Sequence, residues 1–136
     1  MRADVGSGKF DQLNRYDVRG LARGLLACDP ETINRCVEFI LAETRGSGHG
    51  RARAMMCRRL KHCDLSPEMR ERLVECIINR LVTGNFAEQF RDQLRLAIHL
   101  DPERTSKEAH KCLASPSRMH IHRLAKWVVE QGESSL

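Results

Sequence analysis

The chain has 136 residues, of which 41% are hydrophobic and only 4% aromatic, and its formal net charge at pH 7 is +5. A chain of this length suits one domain that buries about two thirds of the surface its unfolded form exposes. The scarcity of rings argues against a stacking platform for single-stranded nucleic acid, because such platforms place several aromatic side chains along one groove.

Residues 1–10 lack the apolar core of a secretory signal and predict a flexible N-terminal tail. No apolar run approaches the roughly twenty residues that a membrane helix needs, so we expect no membrane span. We therefore expect an intracellular protein, in the cytoplasm or alternatively in the nucleus. In that setting the cysteines should stay reduced and act as small core residues, and four fall on or beside apolar helix faces: Cys36, Cys63, Cys76 and Cys112.

The first predicted helix runs from about Asp11 to Ala27. Gly20 and Gly24 each cost about 1 kcal/mol relative to Ala inside a helix, so Asp17 is an alternative start. The apolar residues expected on one face of this helix are Leu13, Tyr16, Leu21, Leu25 and Leu26.

A short motif, Asp or Ser followed by Pro and Glu, occurs at residues 29–31, 66–68 and 101–103, at offsets of 37 and 35 residues. The first residue can cap a helix, proline suits the first helical position, and glutamate faces the positive helix end. Apolar or small residues follow 8, 11 and 12 positions after each cap. An internal repeat of this size is typical of solenoids built from helix pairs.

Each of these helices is followed by a helix-breaking segment, at residues 46–50, 84–85 and 115–117. A second helix follows each break, at about Arg51 to His62, Phe86 to Leu100 and Arg118 to Gln131. The predicted fold is all-α, with six or seven antiparallel helices stacked as about three helix-pair repeats, in a short α-solenoid or an irregular bundle. Residues 11–131 would form this single domain, and residues 132–136 a C-terminal tail.

One segment, residues 81–102, resembles the tetratricopeptide repeat. It contains a Gly84-Asn85-Phe86 turn and ends in Ala97-Ile98-His99-Leu100-Asp101-Pro102. The resemblance covers about one sixth of the chain. Within it, Gln89 stands where the tetratricopeptide pattern has a small residue. The unequal lengths of the three units are equally similar to HEAT-type repeats. The resemblance implies a helix-pair architecture and no particular binding residue.

Positive charge is concentrated between Thr44 and Cys63, where the sequence has no acidic residue. On a helical wheel one side is apolar and the opposite side is basic, and the preceding glycine-rich turn would leave backbone N–H groups able to hold an anion. A solvated helix face is the alternative interpretation. The predicted anion-binding or partner-binding residues are Arg45, His49, Arg51, Arg58, Lys61 and His62.

No spacing of cysteines, histidines or carboxylates indicates a metal site, a cofactor or a catalytic group, so we do not expect an enzyme. Trp127 lies off the main apolar stripe of the last helix. It either packs beneath the preceding helix or offers an aromatic contact to a partner.

The sequence favours a noncatalytic protein–protein interaction module, an adaptor or scaffold of the helical-repeat type, whose partner is another protein or a peptide. The basic face would suit an acidic partner. The alternative is a nucleic-acid-binding module that holds RNA or DNA phosphates on that face. Nothing in the sequence indicates the oligomeric state.

Overall fold

The structure is a computed structural model that describes residue 10 and residues 12–134, with the backbone alone for residues 133 and 134. Within these residues there are seven α-helices, one 3-10 turn and no β-strand, which confirms the all-α prediction. The helices are α1 (Arg15–Gly24), α2 (Pro30–Leu41), α3 (His49–Leu60), α4 (Pro67–Thr83), α5 (Phe90–Leu100), α6 (Pro102–Ala114) and α7 (Met119–Ser134), and the 3-10 turn (Leu25–Ala27) follows α1.

The three proline motifs begin α2, α4 and α6 as predicted. In each motif the capping side chain accepts a hydrogen bond from the backbone N–H three residues later, at 3.0–3.2 Å. The caps are Asp29, Ser66 and Asp101. These bonds satisfy one of the N–H groups that a helix start leaves unpaired, and proline removes another.

The helices pack in two rows. Helices α2, α4 and α6 contact one another in order, as do α1, α3, α5 and α7, and α2 pairs with α3, α4 with α5 and α6 with α7. This packing is consistent with a helix bundle or a short solenoid. A single aliphatic core runs between the rows, and its largest fully buried apolar side chains include Phe39, Met56, Leu73, Leu81 and Leu94.

The start and the buried face of the first helix differ from the prediction. Asn14 caps α1 by accepting from the N–H of Asp17, whose carboxylate accepts from the N–H of Asn14. After Gly24 the chain tightens into the 3-10 turn, which changes the direction of the following side chains. Tyr16 is 79% exposed and Leu26 70% exposed, so these two residues do not share the buried face of Leu25, with which the prediction grouped them. The buried side chains here are Val18, Ala22 and Leu25.

Residues 1–9 and 135–136 of the predicted tails lie outside the described residues. The predicted helix start at Asp11 also lies outside them. Phe10, assigned to the flexible tail, is 3% exposed, and its ring meets the Phe39 ring edge-on at 5.4 Å. At the other end, α7 continues to Ser134 and so includes residues predicted as tail.

Helix α5 begins at Phe90, four residues later than predicted. Gln89 adopts a left-handed conformation with φ of 57°, which interrupts the helix just before Phe90. Phe86 lies outside the helix and stacks on the Phe90 ring at 4.8 Å. The aromatic residue of the tetratricopeptide-like turn therefore covers the start of α5 instead of belonging to its first turn.

The prediction that the cysteines stay reduced is wrong for one pair. Cys28 and Cys63 form a disulfide, with Cα atoms 5.5 Å apart. It joins the end of the 3-10 turn to the turn after α3, 35 residues later in the chain. The other four cysteines, Cys36, Cys57, Cys76 and Cys112, carry free thiols. None of the described helices combines the length and the apolar character that a membrane crossing requires.

Candidate binding surface around helix α3

Helix α3 lies at the centre of the candidate surface. It packs between α1 and α5 and contacts α2 behind it. Its apolar side is buried at Ala52, Met56 and Leu60, as the helical wheel predicts. Gly48 begins the helix with φ of 79°, no side chain caps that end, and the first turn has no acidic residue. No acidic residue of the helix itself offsets the positive end of its dipole, and the nearby carboxylate is that of Glu88, beside Gly50 and Arg51.

Two of the predicted basic residues make ion pairs with the α5 region. Arg51 Nε lies 3.1 Å from Glu88 Oε1, and Arg58 Nη1 lies 2.6 Å from Asp92 Oδ2. Asp92 also receives Arg95 Nη1 at 3.0 Å, and its side chain is only 9% exposed. These pairs connect α3 to the start of α5 and reduce the positive charge available on the predicted basic face.

The remaining predicted cations lie at opposite ends of α3. Arg45 is exposed in the loop before the helix, whereas Lys61 and His62 lie in the turn after it. The helix has 12 residues, which corresponds to a length of about 18 Å. The predicted six-residue cluster is therefore not a single compact site.

His49 is not part of any exposed surface, because its side chain is fully buried. Its Nε2 lies 2.8 Å from the Leu13 carbonyl oxygen, which can only accept, so we assign the ring proton to Nε2. Nδ1 then accepts from the Thr44 hydroxyl at 2.7 Å, and the Thr44 oxygen accepts from Arg53 Nη2 at 2.7 Å. This chain of hydrogen bonds holds the glycine-rich loop against α1, which is a structural role.

Two buried arginines near this loop were missed as site residues. Arg53 is 4% exposed and Arg80 is 5% exposed. Burial, reinforced by the neighbouring Arg80 charge, lowers the pKa of Arg53 to about 10. The sequence contains a signal for both. Arg53 lies three residues before the core residue Met56, and Arg80 lies three residues after the core residue Ile77, so each arginine falls on the buried stripe of its helix.

These arginines line a cleft of about 400 Å³ between the glycine-rich loop and the turn before α5, which we call the arginine cleft. Its wall also contains amides, the Phe86 ring and two carboxylates. The residues that define it are Glu43, Thr44, Arg45, Gly46, Gly48, Gly50, Arg53, Arg80, Asn85, Phe86, Ala87, Glu88 and Gln93.

A second depression of about 640 Å³ lies between α1 and α3, and we call it the α1–α3 groove. Its apolar lining is Val18, Ala52 and Met55, and its polar lining is Arg15, Arg19, Arg51 and Glu88. The guanidinium of Arg15 donates to Ser47 Oγ at 2.8 Å. The groove therefore combines an apolar lining with three arginines and one carboxylate, which is paired with Arg51.

Trp127 lies on the far side of the domain, on α7. Its ring is half-buried against the core, and the guanidinium carbons of Arg91 and Arg95 lie 5.5 and 5.1 Å from its centroid. Cation–π contacts of this kind hold the ring in place and cover part of its face.

Within the described part of the chain, no three histidine, cysteine, aspartate or glutamate side chains are grouped so that they could hold a metal ion. No protein-family model, curated protein or solved structure matches the chain. The function therefore has to be argued from these surfaces.

Proposed function

We propose that the protein is a noncatalytic interaction module whose α1–α3 groove receives an acidic, amphipathic helical segment of another protein. The observation that carries the proposal is the combination of an apolar lining, Val18, Ala52 and Met55, with three arginines around one depression.

The lining and the arginines would contribute differently to binding. Apolar side chains of the partner would fill the depression and be removed from water, which supplies most of the affinity of helix-in-groove complexes. Arg15 and Arg19 would pair with partner carboxylates, which guanidinium groups bind through two parallel hydrogen bonds. Arg15 is already oriented by its hydrogen bond to Ser47, so less side-chain freedom is lost on binding.

Nucleic-acid binding is less well supported by the same surface. Two arginines of the predicted basic face, Arg51 and Arg58, are paired with carboxylates. An apolar lining offers nothing to a phosphate backbone, which is bound mainly by unpaired lysine and arginine charges. Nucleic acid is therefore an outcome of the experiment rather than a second proposal.

The experiment measures fluorescence anisotropy of a labelled model helix that has leucine along one face and glutamate on both flanks. A matched helix with lysine in place of glutamate tests the charge requirement, and labelled duplex DNA and RNA are titrated at the same ionic strengths. We expect saturable binding of the glutamate helix alone, weakening as salt increases because exposed charges are screened.

Variants locate the binding site. Arg15→Glu with Arg19→Glu should weaken binding of the glutamate helix at least about tenfold, by replacing attraction with repulsion on one side of the groove. Arg123→Glu with Lys126→Glu makes the same charge change on α7 and should leave affinity within about twofold. Equal losses in both double variants would contradict the groove as the site, and preferential binding of DNA or RNA would favour the nucleic-acid alternative.

A further inference from the structure

The arginine cleft contains two buried positive charges whose hydrogen-bond partners are all neutral. Arg53 Nη2 donates to the carbonyl and hydroxyl oxygens of Thr44 at 2.8 and 2.7 Å. Arg80 donates to Gln93 Oε1 at 2.9 Å and to the Ile40 carbonyl at 2.8 Å. Among the described residues, neither guanidinium forms an ion pair with a carboxylate. Buried charges are normally paired, yet the carboxylates of Glu43 and Glu88, which line the same cleft, form no ion pair with either of these guanidinium groups.

Arg53 also has an unused donor at the same place. Its Nε is buried and has no hydrogen-bond partner within the described residues. An N–H left unpaired in the interior is costly, and native structures nearly always satisfy such groups with a protein atom, a water or a ligand. Arg53 lines the cleft while its Nε is buried, so a group bound in the cleft reaches this N–H when the Arg53 side chain shifts toward the cleft.

The surrounding backbone adds to the positive potential. The backbone carbonyls that accept from Arg80 belong to the last turn of α2, whose dipole supplies only about half of a negative charge. On the other side, Gly48 and Gly50 bring the uncapped start of α3 to the cleft wall. Two buried guanidinium charges and one positive helix end therefore adjoin a partly negative helix end and the carboxylates of Glu43 and Glu88.

We propose that the arginine cleft binds a small organic acid through its carboxylate, which accepts a hydrogen bond from Arg53 Nε and neutralises the Arg53–Arg80 pair. Phe86 and Ala87 would contact the organic part of the ligand, while the Asn85 amide already donates to Glu43 Oε1 at 2.6 Å. A doubly charged phosphate fits less well, because the carboxylates of Glu43 and Glu88 line the same cleft and would repel the second charge. This ligand site differs from the α1–α3 groove and does not depend on the proposed function.

The test follows the Nε–Hε signal of Arg53 by ¹H–¹⁵N NMR of the full chain, assigned through Arg53→Lys. N-acetylglycine, inorganic phosphate and sodium chloride are titrated separately at one ionic strength and pH 7. We expect N-acetylglycine to shift this signal saturably and to slow its exchange with water. Chloride should leave it unchanged, and phosphate should bind at least about fivefold more weakly.

Variants then separate the cleft from its surroundings. Arg53→Lys keeps the charge but removes Nε, and should weaken N-acetylglycine binding about tenfold or more, since a charge-assisted hydrogen bond is lost. If that variant does not fold, Arg45→Glu, an exposed change at the cleft wall, should still weaken binding severalfold. Arg19→Glu in the α1–α3 groove should leave it within about twofold.

Two results would overturn the proposal. Absence of any saturable shift with N-acetylglycine would mean that water alone satisfies Arg53 Nε. Tighter binding of phosphate than of N-acetylglycine would assign the cleft to a different class of ligand.

Discussion

Gly46 shows how one residue without a side chain fixes the glycine-rich loop. A Cβ atom built on Gly46 would lie 2.5 Å from Nε2 of the buried His49 ring. That ring is bonded to Leu13 and Thr44, so it cannot move aside without breaking hydrogen bonds. Glycine at this position is therefore required by close packing rather than by backbone conformation.

We predict that Gly46→Ala lowers the free energy of unfolding by about 2 kcal/mol or more, because the added methyl group overpacks a buried site. Gly20 is the matched control, since nothing lies within 4 Å of a Cβ at that position in α1. Gly20→Ala should raise stability by about 0.5–1 kcal/mol through better helix propensity. Urea unfolding measures both, and equal stability of the two variants would contradict the placement of His49.

Two free thiols predict a pH dependence of stability. Burial raises the pKa of Cys36 and of Cys57 from 9.0 to about 12. In the unfolded chain these thiols ionise as pH rises through 9, whereas the folded protein keeps them protonated. The contribution of these thiols to the free energy of unfolding is therefore complete below pH 9 and is lost as pH rises toward 12. The lowered pKa of Arg53 acts in the opposite direction, but only above about pH 10.

We predict that the free energy of unfolding falls by about 1–2 kcal/mol between pH 9 and pH 10. Urea unfolding at pH 8, 9 and 10 measures the fall. In Cys36→Ala the decline should be less steep, whatever the absolute stability of the variant, because one of the four free thiols whose pKa burial raises is absent. A stability that is flat over this range would show that the thiols ionise as readily in the folded protein as in the unfolded chain.

At the scale of elements, the disulfide joins the α1 region to the end of α3. A cross-link between residues 35 apart restricts the conformations of the unfolded chain. The resulting loss of entropy in the unfolded state adds about 3–4 kcal/mol to the free energy of unfolding. We predict that Cys28→Ser with Cys63→Ser lowers stability by a similar amount. Titration of thiols in the unfolded, unreduced protein should find four per chain, and six would contradict the disulfide.

The contact between α3 and α5 depends on one buried carboxylate. Asp92 is 9% exposed and pairs with Arg58 and Arg95, both of which are partly exposed. We predict that Asp92→Asn lowers the free energy of unfolding by about 1–3 kcal/mol. This is the range for a buried hydrogen-bonded group whose charged partners are partly exposed to solvent. Glu88→Gln is the control, because the Glu88–Arg51 pair is mostly exposed and should contribute less than about 1 kcal/mol. Thermal unfolding that ranks the two variants in the opposite order would contradict this assignment.

The helices could be predicted largely from the sequence because their starts carry local signals. The three proline motifs act within one turn, and the apolar spacing of α2 and α4 specifies their buried faces without reference to the rest of the chain. The late start of α5 depends instead on stacking between Phe86 and Phe90 and on the left-handed Gln89. Such contacts are settled only when the chain is folded.

The candidate site was less predictable than the helices for the same reason. A helical wheel separates polar from apolar sides, but it does not show that α3 has neighbours on two sides. It therefore cannot show that Arg58 would be paired by Asp92 from α5. Nor does it predict that Arg53 would be buried beside Arg80, 27 residues later in the sequence. The disulfide between Cys28 and Cys63 is a similar case, since spacing alone does not decide pairing.

At the scale of the whole molecule, two cavities adjoin the start of α3. The α1–α3 groove and the arginine cleft share Gly48 and Glu88 in their linings but otherwise use different residues. The groove is lined by apolar side chains and arginines near the surface, whereas the cleft places its positive charge in the interior. A protein segment suits the first, and a small ligand suits the second.

The most direct measurement is NMR of methionine methyl groups during titration with the glutamate-flanked helix. Met55 lines the α1–α3 groove, while Met119 is 76% exposed at the start of α7 and serves as an internal control. We predict a saturable shift of the Met55 signal and an unchanged Met119 signal. A shift of Met119 with Met55 unaffected, or no saturable shift of either, would contradict the groove as the binding surface.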